Sequence, residues 1–401
     1  MNKLPSDWQI KTINEVCNIY TGNSINKKKK EENFIGLKEG LNYIGTKDIS
    51  FNNIIEYENG VKIPFKDLKD FKIAKSNTSL LCIEGGSAGR KIGFTNQEVC
   101  FGNKLCCFEA IEDEPKFIYF YLQSNYFLRE FNSNIQGLIG GVNKENLRKI
   151  KIPIPPLDEQ KRIASALSKI DAYLENTIKL IEEKERFKRG IAKKLLTCKE
   201  GENIPEARFK GFEDEWEIVK LGYMFDNFKE KNNEDKIILA STIDKGVIPN
   251  SLTERKIIRK KESLSNYKLV KKGCFVISLM SFQSGFEYSD YEGIISPAYT
   301  VLKPKIEMAH YFYKYYFKSF KFIKDLRPYA EGIRHGKQIK FKACKDILVP
   351  YPSIEEQEKI GGYLSLLDEE IDNLKKQKEL IKEMKRGAMQ KLLSGEVRLL
   401  E

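Results

Sequence analysis

The sequence predicts an α+β protein: two α/β globules separated by two long helices that pair as a coiled coil, with pseudo-two-fold internal repetition. Three observations predict it. The segment from Pro153 to Thr197 returns as Pro350 to Ser394; without a gap, Glu159, Gln160, Ile163, Leu167, Asp171, Lys188, Arg189 and Gly190 fall on Glu356, Gln357, Ile360, Leu364, Asp368, Lys385, Arg386 and Gly387. Within each copy, apolar residues recur three and four apart. Ahead of each copy lies a stretch rich in β-branched and aromatic residues that opens on a tryptophan, Trp8-Gln-Ile and Trp216-Glu-Ile. The expected boundaries are a first globule over 1–151, a first helix over 152–200, a second globule over 201–348 and a second helix over 349–401.

Each helix carries one narrow stripe. It runs Ile163, Leu167, Ile170, Leu174, Ile178, Ile181 in the first and Ile360, Leu364, Leu367, Ile371, Leu374, Ile381 in the second. Dense charge on the other faces suits a two-stranded coiled coil better than burial in a globular core, so these positions are assigned to helix pairing. Ser353-Ile-Glu-Glu356 reads as a capping box, in which Ser and Glu reciprocally satisfy free backbone N–H groups. In the first copy Pro156 replaces that Ser, and the start relies on Pro and on Asp158 and Glu159 near the helix dipole.

A chain of 401 residues, 41% hydrophobic, is long enough for more than one domain with a real core. No apolar run approaches the roughly eighteen residues of a membrane span, and the opening MNKLPSDWQIKTINEV is no signal peptide, so a cytoplasmic protein is expected. The eight cysteines show no C-x-x-C spacing and read as small buried thiols in a reducing compartment. The formal charge is +12; residues 158–197 carry +3 and 355–394 carry -1, which leaves +10 on the rest of the chain. A basic excess on the globules, with 11% aromatics, favours a polyanionic partner.

Strand-like stretches in the first globule are Ser79–Ile83, Lys91–Phe94 and Asn103–Phe108; in the second they are Cys274–Leu279 and Ile294–Leu302. Lys27 to Lys30, followed by Glu31 and Glu32, reads as a solvated loop. The aromatic segments Lys116–Leu122 and Tyr311–Phe317 read as core, although bases also stack on such rings. Between strands, the first globule has Glu84-Gly-Gly-Ser-Ala-Gly-Arg-Lys91 and the second has Ser281-Phe-Gln-Ser-Gly-Phe286. Arg90 and Lys91 suit guanine edges and phosphates, whereas Gln283, followed by Ser284, suits adenine, so two similar scaffolds are equipped to read different sequences; the alternative for the Gly-rich loop is a tight turn alone. Lys104, beside a strand, and Arg334, His335 and Lys337, just before the second helix, complete the candidate DNA contacts.

Signatures of catalysis are missing. The Gly85–Lys91 loop lacks the Gly-Lys-Ser/Thr ending of a phosphate loop, no G-x-G-x-x-G follows a strand, and the two histidines form no H-E-x-x-H. No Asn/Asp-Pro-Pro-aromatic methyltransferase motif appears, since Leu157 follows Pro155-Pro156.

The repeated [PS]-[LI]-[DE]-E-Q-[KE]-[RK]-I opening of a long helix that ends in K-L-L, placed after each of two basic globules, resembles the specificity subunits of type I restriction-modification systems. The resemblance implies that each globule is a target recognition domain reading half of an asymmetric bipartite site in double-stranded DNA. It implies that the helices pair antiparallel and act as spacer and as docking surface for two adenine-specific DNA methyltransferase subunits, which adds partner binding to the stripe positions, with restriction-translocase subunits as further partners. S-adenosylmethionine, ATP and magnesium then belong to those partners, and none is expected on this chain. The alternatives are a structural coiled-coil adaptor with non-specific DNA affinity and a self-sufficient methyltransferase or nuclease. A helix of this length spans roughly 60 Å, enough to hold two domains about one DNA turn apart.

Overall fold

The structure is a computed structural model that describes residues 4–135, 140–253, 261–277, 285–330 and 339–400. Two compact units emerge, Met1–Ile178 with Gln377–Glu401, and Lys179–Lys376. Both long helices, Leu157–Leu196 and Ile354–Leu393, have 40 residues and contribute to both units. Among the described residues no helix is long and apolar enough to cross a membrane.

In the first unit, Cys17–Thr21, Leu105–Ala110, Ser79–Cys82 and Ile92–Phe94 form, in that order, an antiparallel sheet. Alternate side chains of its inner strands enter different cores, as the two-residue period of a strand requires. Leu81, Cys106 and Phe108 face the helices, while Leu80, Cys82, Leu105 and Cys107 face a second, short-stranded sheet. Burial on both faces explains why these strands read as continuous apolar runs and why the adjacent Cys106 and Cys107 are both buried. Strand Lys151–Ile154 pairs antiparallel with Gln9–Thr12 and feeds the first long helix.

The second unit repeats the plan. Its main sheet runs Phe225–Phe228, Thr300–Pro304, Phe275–Ile277, Phe286–Tyr288, again antiparallel, and Leu348–Tyr351 pairs with Glu217–Lys220 before the second long helix. The repetition therefore goes deeper than the sequence match. Ile294–Leu302, expected as one strand, is two in different sheets, Gly293–Ile295 and Thr300–Pro304. Pro297 lies in the break, where its missing N–H costs no ladder bond. The Lys27–Lys30 run is an exposed helix, Lys27–Asn33, started by the Asn26 side chain accepting from the Lys28 N–H. The aromatic segments are helices, Pro115–Tyr121 and His310–Tyr316, whose rings are mostly buried in the two main cores.

The stripes divide their work in a way the periodicity does not foresee. Ile163 and Leu167 lie at 0% exposure in the first unit's globular core, beside Phe117, Phe120 and Leu393. Ile360, Leu364 and Leu367 are buried likewise with Phe312 and Leu196. The start of each helix is thus a wall of its globule, whereas Ile170 and Leu174 are half-buried and Ile371 is buried further along. Antiparallel pairing shows within each unit: Asp171 with Lys385 at 2.6 Å in the first, and Lys188 with Asp368, Lys184 with Glu370 at 2.6 Å and Glu185 with Lys375 at 2.7 Å in the second. The repeat-related ion pairs Asp171–Lys385 and Asp368–Lys188 exchange helices, as pseudo-two-fold repetition demands.

Candidate nucleic-acid interface

The repeated Glu-Gln of each helix start is a buried clamp. Glu159, 1% exposed, accepts from the Trp8 indole at 3.1 Å and from two nitrogens of Arg398 at 2.7 Å each. Glu356, also 1% exposed, accepts from Trp216 at 2.9 Å and from two nitrogens of Arg208 at 2.8 Å each. These carboxylates raise the pKa of both guanidinium groups, and Arg398 in turn holds Asp7 below its usual range. Gln160 accepts from the Glu114 N–H and donates to the Pro155 carbonyl; Gln357 accepts from the Ala309 N–H and donates to the Pro352 carbonyl. Each Gln thereby ties its long helix to the start of an aromatic helix. The capping box is half made: Ser353 Oγ accepts from the Glu356 N–H at 3.3 Å, but the Glu356 carboxylate serves Trp216 and Arg208 instead of the cap backbone.

On this frame the first unit carries a cavity of 990 Å³. Its walls are the Phe51–Ile54 loop, the turn at Ala88–Arg90, the helix Asn125–Ser133 and the two long helices. The turn is tight because Gly85 and Gly89 adopt φ of +82° and +71°, and a Cβ on Gly89 would lie 3.0 Å from the Phe131 ring. It delivers Arg90 to the surface, stacked 5.1 Å from the ring centre of Phe51. Phe51 is 61% exposed, a large ring left in solvent between two cations.

Of the sequence candidates, the structure brings Arg90 and Lys91 together on Phe51. Only Arg90 is free to reach outward, since Lys91 is half-buried and donates to the Thr46 carbonyl at 3.0 Å. Lys104 is exposed, 3.9 Å from Glu84, and does not line the cavity. Gln283, Ser284, Arg334, His335 and Lys337 lie outside the described residues. Sequence reasoning missed Phe51, Arg129 and the cavity-lining face of the second helix, Lys382, Lys385 and Arg386. It also missed the two clamp arginines, although Glu206-Ala-Arg-Phe and Glu396-Val-Arg-Leu repeat a pattern after each helix.

Residues 5–183 and 213–383 match the family model described as the type I restriction modification DNA specificity domain. The chain belongs to that family. Its role is DNA sequence specificity in a type I restriction-modification system. It is 26% identical over 421 aligned positions to the type I restriction enzyme MjaVIII specificity subunit of Methanocaldococcus jannaschii, covering 99% of this chain and 94% of that protein. With the putative MjaX specificity subunit of the same organism it shares 27% identity, over 64% of this chain and 62% of the relative. The type I restriction-modification S subunit of M. genitalium has the same fold, with a TM-score of 0.59 at 17% identity over 98% of this chain and 97% of that one.

Proposed function

We propose that each globule reads one half of an asymmetric, bipartite duplex target, and that the chain itself catalyses nothing. The paired helices serve as spacer and as docking surface for two adenine-specific DNA methyltransferase subunits, with restriction-translocase subunits as further partners. S-adenosylmethionine, ATP and magnesium are bound by those partners, and the assembly works in the cytoplasm. What carries this reading is the doubled module: one sheet order and one Trp–Glu–Arg clamp in each unit, against unlike loops, with Arg90 and Lys91 in one and Gln283 and Ser284 in the other. Like frames with unlike loops are suited to reading two different sequences. Because Ile163, Leu167, Ile360 and Leu364 are buried, docking falls to the outward faces, where the repeat-related Phe187 and Met384 are each 51% exposed.

The test is to purify the full chain with the methyltransferase encoded beside it and map methylated adenines. A split motif, methylated only when both proteins are present, is expected. Methylation indifferent to sequence, or methyl transfer by the chain alone, would refute the reading.

A further inference from the structure

One wall of the first unit's cavity comes from the second long helix. Lys382, Lys385 and Arg386, all on the second long helix, line the same cavity as Arg90 and Arg129. Two of these cations are spent within the fold: Lys385 on Asp171 at 2.6 Å and Lys382 on Glu379 at 3.2 Å. Arg90, Arg129 and Arg386 are exposed and have no ion pair among the described residues. Of the acids lining the cavity, Asp171 is neutralised by Lys385, and Glu175 makes an interaction of its own. Three guanidinium groups without ion pairs around one concavity give it a positive potential that attracts an anion. The flat fork of a guanidinium fits phosphate oxygens in pairs. With the three arginines carried by three different elements, a turn, a short helix and the second long helix, around a 990 Å³ space, the match is to an extended polyanion rather than to one small ion.

We propose that Arg386 contacts a backbone phosphate of the duplex whose bases the first globule reads, so that the second long helix is part of the DNA interface as well as a spacer. This rests on the reading that the first globule binds duplex DNA. A phosphate contact from a rigid helix fixes where the duplex lies and carries no sequence information. Its loss therefore weakens all sequences alike.

The experiment measures binding of the full chain, purified with its methyltransferase, to cognate duplex and to duplexes altered in either half-site, across a salt series. Arg386→Gln keeps a good helix former and is expected to lower the slope of log affinity against log salt by about 0.9, the value of one B-DNA phosphate. Discrimination between half-sites is retained. Lys376→Gln, at an exposed position on the same helix outside the cavity, leaves the slope unchanged. An unchanged slope for Arg386→Gln, or an equal drop for Lys376→Gln, overturns the proposal. So does altered half-site discrimination, which would mean a base contact. If the unmutated complex failed to discriminate sequences at all, the underlying reading of the first globule would fall instead, so the two failures are distinguishable.

Discussion

Removing the cation of one clamp tests whether the Trp–Glu–Arg clusters hold the long helices to their globules. Arg208→Met keeps the aliphatic stem and deletes two hydrogen bonds of 2.8 Å to Glu356 and an exposed one of 2.6 Å to the Asp214 carbonyl, leaving the 1% exposed Glu356 carboxylate with Trp216 as its remaining side-chain partner. Hydrogen bonds to charged groups contribute about 1.5–3 kcal/mol each. Breaking a buried ion pair from one side costs about 3–5 kcal/mol. Since the Arg208 side chain keeps 13% exposure, water relieves part of this, and a loss of about 3 kcal/mol is expected. The chain has two tryptophans, one in each clamp, so a Trp8→Phe background makes Trp216 fluorescence report the second unit by itself. For a urea m-value of about 2–3 kcal/mol/M, the midpoint falls by about 1–1.5 M. Adding Glu356→Gln removes the unpaired charge while its amide oxygen still accepts from Trp216, which should return about half of the loss. An unmoved midpoint, or single effects that simply add, would refute the coupling.

Neighbouring glycines of the second helix should respond oppositely. A Cβ on Gly361 would lie 2.6 Å from the Phe312 nitrogen, so Gly361→Ala forces the helix off its globule and costs about 1–3 kcal/mol in urea unfolding, whereas Gly362, with nothing within 4 Å, gains about 0.5–1 kcal/mol from the same change. Arg90→Ala should lose about 1–3 kcal/mol of base discrimination, seen by competition binding, at the half-site of the first globule and leave the other half unchanged. Relaxation of both halves would rule out a base contact confined to that globule.

The helices and their doubling were legible because period and repetition survive without knowledge of tertiary contacts. The stripe indicated which face is apolar but not what covers it, and for Ile163 and Ile360 the cover is a globular core to which the other helix adds only its last turns. The Glu-Gln pair was visible as a pattern, yet its purpose depends on Trp8 and Arg398, 151 and 239 residues from Glu159. The arginines themselves escaped an ungapped comparison because Arg208 and Arg398 follow their helix ends at different distances. Arg90 was legible from a Gly-rich turn between strands. Phe51 and Arg386 were not, since only folding brings a loop and a distant helix to one cavity.

Each clamp arginine follows one helix in sequence and grips the start of the other, and this bears on the order in which the polypeptide matures. The second unit is one uninterrupted stretch, Lys179–Lys376, and has every core residue once that stretch has left the ribosome. The first unit, although translated earlier, lacks Met389, Leu392, Leu393 and Arg398 until the last segment emerges, so the core around Ile163 and Leu167 stays incomplete and Glu159 lacks its guanidinium partner. Vectorial synthesis usually lets the leading domain fold first. Here the leading domain should be the last to close, and protease treatment of stalled nascent chains would show the Trp216 region protected before the Trp8 region.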